Sequence, residues 1–122
     1  MYININRIAY ILWGFGLVAV VIVSLLPPQD TLQLPNFAND KVKHFLTYAI
    51  LAHLGCQAGL SWAKRYLLCG LTFSISVLIE FLQPLTGRDF ELLDMAANFG
   101  GIVLGIILMQ AYLWRMRTGN RQ

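Results

Sequence analysis

The chain has 122 residues, of which 57% are hydrophobic and 12% are charged, and its formal net charge is +3. Soluble domains carry roughly 25% charged residues, so this composition does not suit a soluble domain. A net positive charge would suggest nucleic-acid binding in a soluble protein. In so apolar a chain we attribute the charge to membrane topology instead, and we expect no nucleic-acid partner.

The apolar segments predict an all-α polytopic membrane protein, a bundle of four transmembrane helices forming one domain over residues 1–122. Residues 8–26 contain no charged residue, and their nineteen positions suffice to cross a hydrocarbon core about 30 Å thick. This segment is too long for a signal peptide and lacks a typical cleavage site, so we predict a retained helix. Weaker apolar segments follow at 44–62, 66–83 and 92–113.

Prolines and capping residues predict where these helices begin and end. Proline cannot continue a helix interior, so Pro27 is expected to end the first span and Pro84 the third, at Gln83. Asn39 or Asp40 is suited to cap the second helix, because its side chain can accept from the first-turn N–H groups. By the same reasoning we expect Asp89 to cap the fourth helix. Glu91 is expected to be a solvated surface charge that favours the positive end of the same helix dipole.

Lysine and arginine residues predict the orientation, with both termini in the cytoplasm. This arrangement gives six basic residues inside and three outside, as the positive-inside rule requires. The inner residues are Arg7, Lys64, Arg65, Arg115, Arg117 and Arg121, and the outer ones are Lys41, Lys43 and Arg88. All six acidic residues then lie at the outer side: Asp30, Asp40, Glu80, Asp89, Glu91 and Asp94.

Polar residues recur at helical spacing, three or four apart, so each set lies on one face of its helix. The sets are Lys41, His44 and Tyr48 in span two, Thr72, Ser76, Glu80 and Gln83 in span three, and Asp94 with Asn98 in span four. At a rise of 1.5 Å per residue, His44, Glu80 and Asp94 lie about 6–7 Å from the outer helix ends. Three ionisable groups from three helices are therefore predicted to share one layer. Charged groups at membrane depth are costly and indicate a functional site.

Small and sulfur-containing residues carry simpler expectations. Ala97, Gly101 and Gly105 form a small-xxx-small series that predicts close approach of another helix to span four. Cys56 and Cys69 lack the spacing of metal ligands and are interpreted as buried structural cysteines.

Three chemistries remain open for the outer layer. Glu80 and His44 are suited to be a general acid–base pair. His44, Glu80 and Asp94 include ligand types that suit zinc or manganese, but no recognised metal-binding spacing is present, so we predict neither a metal nor another cofactor. An anion site would use Lys41, Lys43, Arg88 and His44 to hold phosphate or pyrophosphate.

Purely structural interpretations stand beside these three. Asp94 and Asn98 could serve only as interhelical hydrogen-bonding groups. Glu80 could form a buried ion pair with Arg88 or Lys41 that holds the helices in register.

Three segments together closely resemble the VanZ-like family of small bacterial membrane proteins. They are SLLPP at Ser24–Pro28, DKVKHFLTYAIL at Asp40–Leu51 and EFLQPLTGRDFELLDMAANFGG at Glu80–Gly101. The recurring polar positions of the family match Asp40, Lys41, His44, Glu80, Gln83, Arg88, Asp94 and Asn98. The family is named for a protein linked to low-level resistance to teicoplanin, a glycopeptide antibiotic.

The resemblance implies a multi-pass protein of the bacterial cytoplasmic (inner) membrane that binds or acts on membrane lipids or a lipid-linked cell-envelope precursor. In an enzymatic version, Glu80, His44 and Asp94 are the catalytic candidates. The substrate-binding candidates are Asp40, Lys41, Gln83, Arg88 and Asn98. The alternative is a non-catalytic accessory or scaffold protein whose polar residues are structural. Teicoplanin resistance does not follow from the family name, because it belongs to a particular genetic and cell-envelope setting.

Overall fold

A computed structural model describes residues 4–27 and 40–120, and every regular element within these ranges is helical. The all-α prediction is thus confirmed for this part of the chain. The elements in order are α1 (Ile5–Leu25), α2 (Asp40–Ala58), α3 (Trp62–Leu82), a single 3-10 turn (Gln83–Thr86) and α4 (Leu92–Gly119). The expectations for Asp30, Asn39 and Arg121 lie outside the described residues.

Three of the four helices are long and apolar enough to cross a membrane: α1, α3 together with the 3-10 turn that follows it, and α4. Among the described residues, α2 is the helix that does not meet this criterion. Its N-terminal end carries Asp40, Lys41 and Lys43, and these charges lower its hydropathy.

The least apolar helix, α2, occupies the centre of the molecule. It packs against α1, α3 and α4, and its contact with α4 is the most extensive between any two elements. Leu51, Ala52 and Cys56 are buried in the hydrophobic core. Val42, Leu46 and Ile50, spaced four apart, form an exposed apolar stripe. α2 therefore turns Lys41 and His44 towards α4 and also exposes an apolar stripe, whereas a surface helix in a soluble protein exposes a polar face.

Two glycines of α4 allow its close approach to α2. A Cβ atom at Gly101 would overlap the carbonyl oxygen of Phe45, and one at Gly105 would lie 2.6 Å from the carbonyl oxygen of Ala49. Both backbone carbonyls belong to α2, so the two main chains are in direct contact. The close approach predicted from the small-xxx-small series is confirmed at these two glycines.

The turn between α2 and α3 lies earlier in the chain than predicted. α2 ends at Ala58 and not at residue 62, because Arg65 folds back and its Nε donates to the carbonyls of Cys56 and Gly59, each at 3.0 Å. Ser61 caps α3, accepting a hydrogen bond from the N–H of Lys64. α3 therefore begins at Trp62, four residues before the predicted position.

The polar stripe of α3 lies inside the bundle, as its spacing predicted. Thr72, Ser76, Glu80 and Gln83 are all at most 4% exposed. Trp13 Nε1 of α1 donates to the Thr72 hydroxyl at 3.0 Å, and that hydroxyl donates to the Leu68 carbonyl. The stripe thus connects α3 to α1 by a hydrogen bond as well as by packing.

The two cysteines lie together in the core. Both are free and buried, and their sulfur atoms are 3.5 Å apart across the interface of α2 and α3. Their interpretation as buried structural cysteines agrees with this position.

Candidate functional site

The N-terminal turns of α2 and α4 meet at one end of the bundle, where Lys41 bridges two acidic residues of the other helix. Its ammonium group forms ion pairs with the carboxylates of Glu91 and Asp94. The Asp94 side chain is only 7% exposed, whereas that of Glu91 is 47% exposed. Lys41 therefore offsets part of the negative charge at the start of α4.

His44 lies one turn further into α2 and contacts three polar side chains. Its Nδ1 is 2.9 Å from Asn98 Oδ1, and its Nε2 is 3.4 Å from Asp94 Oδ2 and 3.7 Å from Asp40 Oδ2. A carbonyl oxygen only accepts, so Nδ1 carries the hydrogen and donates it to Asn98. The other ring nitrogen then faces one carboxylate oxygen of Asp94 and one of Asp40.

Glu80 of α3 is the deepest acidic group of this region, with 1% of its surface exposed. Its carboxyl group lies within electrostatic range of Asp94, His44 and Glu91. No side chain among residues 4–27 and 40–120 hydrogen-bonds to its oxygens, and the backbone N–H of Glu91 is a donor close to its carboxyl group. Within the same ranges it forms no ion pair with Arg88 or Lys41, so the register-fixing pair considered from the sequence is not formed.

Gln83 begins the 3-10 turn, and Arg88 follows its end. In the described part of the chain, neither side chain joins the contacts of Lys41, His44 and Asp94. Gln83 is buried, and its amide donates to the Ser24 carbonyl of α1 at 3.4 Å. The Arg88 side chain has a buried Nε without a hydrogen-bond partner among the described residues. Its backbone N–H donates to the Gln83 carbonyl. Gln83 thus has a structural contact to α1, while the expected role of Arg88 in holding an anion stays a prediction.

The start of α4 differs from the sequence-based expectation. Asp89 does not cap the helix, since the N-cap position is Glu91, which makes no side-chain capping hydrogen bond. Glu91 is not simply a solvated charge either, because it pairs with Lys41. The spacing of Glu91 and Asp94, three residues apart, was the available signal, since it directs both carboxylates to the same side of α4.

We call the seven residues described above the polar cluster: Asp40, Lys41, His44, Glu80, Glu91, Asp94 and Asn98. The shared layer of His44, Glu80 and Asp94 expected from depth is present, and Asp40, Lys41 and Asn98 join it. Four carboxyl groups, one ammonium group and one imidazole make the cluster strongly acidic. It is therefore suited chemically to transfer protons or bind cations.

Comparisons of the chain with models of protein families, with curated proteins and with solved structures found no match.

Proposed function

We propose that this chain is a VanZ-like protein of the bacterial inner membrane, in which four helices span the bilayer and both termini are cytoplasmic. The polar cluster opens to the outer leaflet and binds or acts on the headgroup of a lipid-linked cell-envelope component. The observation that carries the proposal is the contact of His44 with Asp40, Asp94 and Asn98. These residues come from two of the three segments that resemble the family.

The central position of α2 supports a fourth span. A polar helix is tolerated in a bilayer when its ionisable groups face the bundle interior and find partners there. In α2, Lys41 and His44 contact α4, while Leu46 and Ile50 on the exposed stripe can face lipid tails. Low hydropathy therefore does not argue against a spanning position for this helix.

The opposite end of the bundle supports the orientation. Trp62 and Arg65 lie at the start of α3, with the guanidinium carbon 4.8 Å from the indole centroid. Trp114, Arg115 and Arg117 lie near the end of α4, which runs antiparallel to α3 in the proposed topology. Aromatic and basic residues together are typical of a cytoplasmic membrane interface, so the polar cluster faces outwards.

In the enzymatic form of the proposal, His44 exchanges a proton with the headgroup through Nε2. Asp94 and Glu80 stabilise the charged imidazole, and Asn98 holds the ring in place through Nδ1. Lys41 and Arg88 are the groups able to bind anionic oxygens of the headgroup. Catalysis is not required for the binding function.

A non-catalytic accessory protein is the second candidate, and one observation favours it. Lys41, His44, Asp94 and Asn98 contact each other across α2 and α4, so the same contacts would also hold these helices together. In that case a lipid or partner protein is recognised without any chemical change.

Two conservative substitutions test the proposal. Glu80→Gln and His44→Asn remove the titratable groups at nearly constant size, and His53→Asn on the same helix is the matched control outside the polar cluster. Each variant gene replaces the original gene in its host. The lipid-linked envelope intermediates and the teicoplanin susceptibility of each strain are then compared with those of a deletion strain. Membrane levels are measured by immunoblot.

The enzymatic form predicts that both variants reproduce the lipid profile of the deletion strain at normal membrane levels, whereas the control does not. Unchanged profiles in both variants refute catalysis. Loss of both variants from the membrane supports the accessory alternative.

A further inference from the structure

The charge balance of the polar cluster leaves a deficit of positive charge. Asp40, Glu80, Glu91 and Asp94 face one permanently charged base, Lys41, within the described contacts. Two of the acids, Glu80 and Asp94, are at most 5% exposed. Buried carboxylates are tolerated when they are paired, protonated or bound to a metal ion.

Three potential ligand atoms of this cluster lie close enough together to hold one metal ion. One oxygen each from Asp40 and Asp94 and one ring nitrogen of His44 lie within 4.8 Å of one another. Zinc–ligand bonds of 2.0–2.1 Å imply a separation of about 3.4 Å between neighbouring ligand atoms of a tetrahedron. The separation of His44 Nε2 and Asp94 Oδ2 is 3.4 Å, and that of Nε2 and Asp40 Oδ2 is 3.7 Å.

Neighbouring side chains orient these ligand groups as the outer residues of metal sites do. A metal-binding histidine almost always donates its other ring N–H to an oxygen acceptor, which orients the ring and selects its tautomer. His44 does so through Nδ1 to Asn98. The second oxygen of Asp94 is held by Lys41, so its remaining oxygen is directed at the ring.

Glu80 supplies an independent indication that the cluster accommodates a cation. Glu80 is only 1% exposed, and no side chain in the described part of the chain hydrogen-bonds to its oxygens. The backbone N–H of Glu91 is the donor close to its carboxyl group. Asp94 and His44 are among its electrostatic neighbours. A cation in this layer would offset a buried carboxylate that the described side chains leave without a partner.

We propose that Asp40, His44 and Asp94 form a binding site for one divalent metal ion of the zinc class. This proposal departs from the sequence-based prediction of no metal, which rested on the absence of a recognised ligand spacing. Asp40 was not among the metal-ligand candidates from the sequence. It lies on the same helix as His44, and only the packing of α2 on α4 brings its carboxylate close to Asp94. Its side chain is 62% exposed, so an ion can enter from water.

Direct titration with zinc tests the site. The full chain is purified in detergent micelles with an affinity tag that contains no histidine, treated with EDTA, and titrated with ZnCl2 by isothermal calorimetry. One zinc ion per chain is the expected result. His44→Ala removes a ligand, and His53→Ala removes a histidine of the same helix that lies outside the polar cluster.

Loss of an outer partner of a metal ligand typically weakens binding roughly 10–100-fold. We therefore expect Asn98→Ala to lower zinc affinity about 10-fold and His44→Ala at least about 100-fold, with no change for His53→Ala. Asp40→Asn changes an exposed group, so it tests a ligand without disturbing the helix contact. Circular dichroism and gel filtration verify that each variant is folded.

The absence of saturable zinc binding in the unaltered protein overturns the inference. Equal zinc affinity in Asp40→Asn and in the unaltered protein overturns it too, because the ion would then be bound elsewhere. The titration contains no envelope lipid, so its result decides the metal site whether or not the proposed lipid function is correct.

Discussion

At the residue scale, the buried polar groups of this chain fall into two kinds. Thr72 and Ser76 satisfy their hydroxyl groups through backbone carbonyls of their own helix, and Thr72 also accepts from Trp13. Glu80, on the same stripe, has no side-chain hydrogen-bond partner among the described residues. This contrast separates structural polar residues from a group that is suited to a ligand or a proton.

The hydrogen bond from Trp13 to Thr72 is expected to contribute about 0.5–1.5 kcal/mol to the free energy of unfolding. Trp13→Phe and Thr72→Val each remove one partner, and the double variant completes a thermodynamic cycle measured by denaturation in detergent micelles. Ser74→Ala is the control, since among the described residues its exposed hydroxyl bonds only the Gly70 carbonyl of its own helix. Purely additive effects of the two substitutions would contradict a direct interaction.

At the element scale, the packing of α4 on α2 depends on two glycines and on the ion pairs at one end. The glycines bring the backbones together along the helices, and Lys41 and His44 contact Asp94 where the helices begin. Close backbone approach places short side chains such as Asp94 and Asn98 within reach of α2. The packing motif therefore also assembles the polar cluster.

Substitution of Gly101 is expected to weaken this interface. The added Cβ of Gly101→Ala would overlap backbone atoms of Phe45, and overpacking of this kind costs about 1–3 kcal/mol. Gly14→Ala in α1 is the matched control, because its Cβ meets no atom within 4 Å, and alanine there should be neutral or stabilise the helix by up to about 1 kcal/mol. Thermal unfolding in detergent measures both changes, and equal stability of the two variants would exclude the close contact.

At the scale of the whole molecule, the arrangement places the most polar helix where the other three surround it. α1, α3 and α4 are the apolar candidate spans, and each contacts α2. Interior placement reduces the cost of ionisable groups at membrane depth, because they then face protein partners and not lipid. The same arrangement places the cluster at the end of the bundle where the N-terminal turns of α2 and α4 meet.

The location of the C-terminus distinguishes four spans from three. With a cytoplasmic N-terminus, four spans return the C-terminus to the cytoplasm, whereas three spans leave it outside. We expect a fluorescent-protein fusion after Gln122 to be bright and an alkaline-phosphatase fusion after Gly87 to be active. The reverse pattern would overturn the four-span topology with a cytoplasmic N-terminus.

Hydropathy, proline positions and helical periodicity were sufficient for the helical class and for the buried stripe of α3. They also indicated the common depth of His44, Glu80 and Asp94, because rise per residue and distance from a helix end are local quantities. The helix limits were less accurate at α2, where Arg65 binds carbonyls that a local pattern could not assign to it.

The partners within the polar cluster were decided by tertiary structure alone. Periodicity determines which side chains share a face, but it does not determine which two faces meet. The approach of α4 to α2 at Gly101 joins Lys41 to Glu91 and Asp94, and leaves Glu80 without the ion pair considered from the sequence. The sequence therefore determined which residues are acidic and which of them share a helix face. Their partners depended on how closely two helices pack.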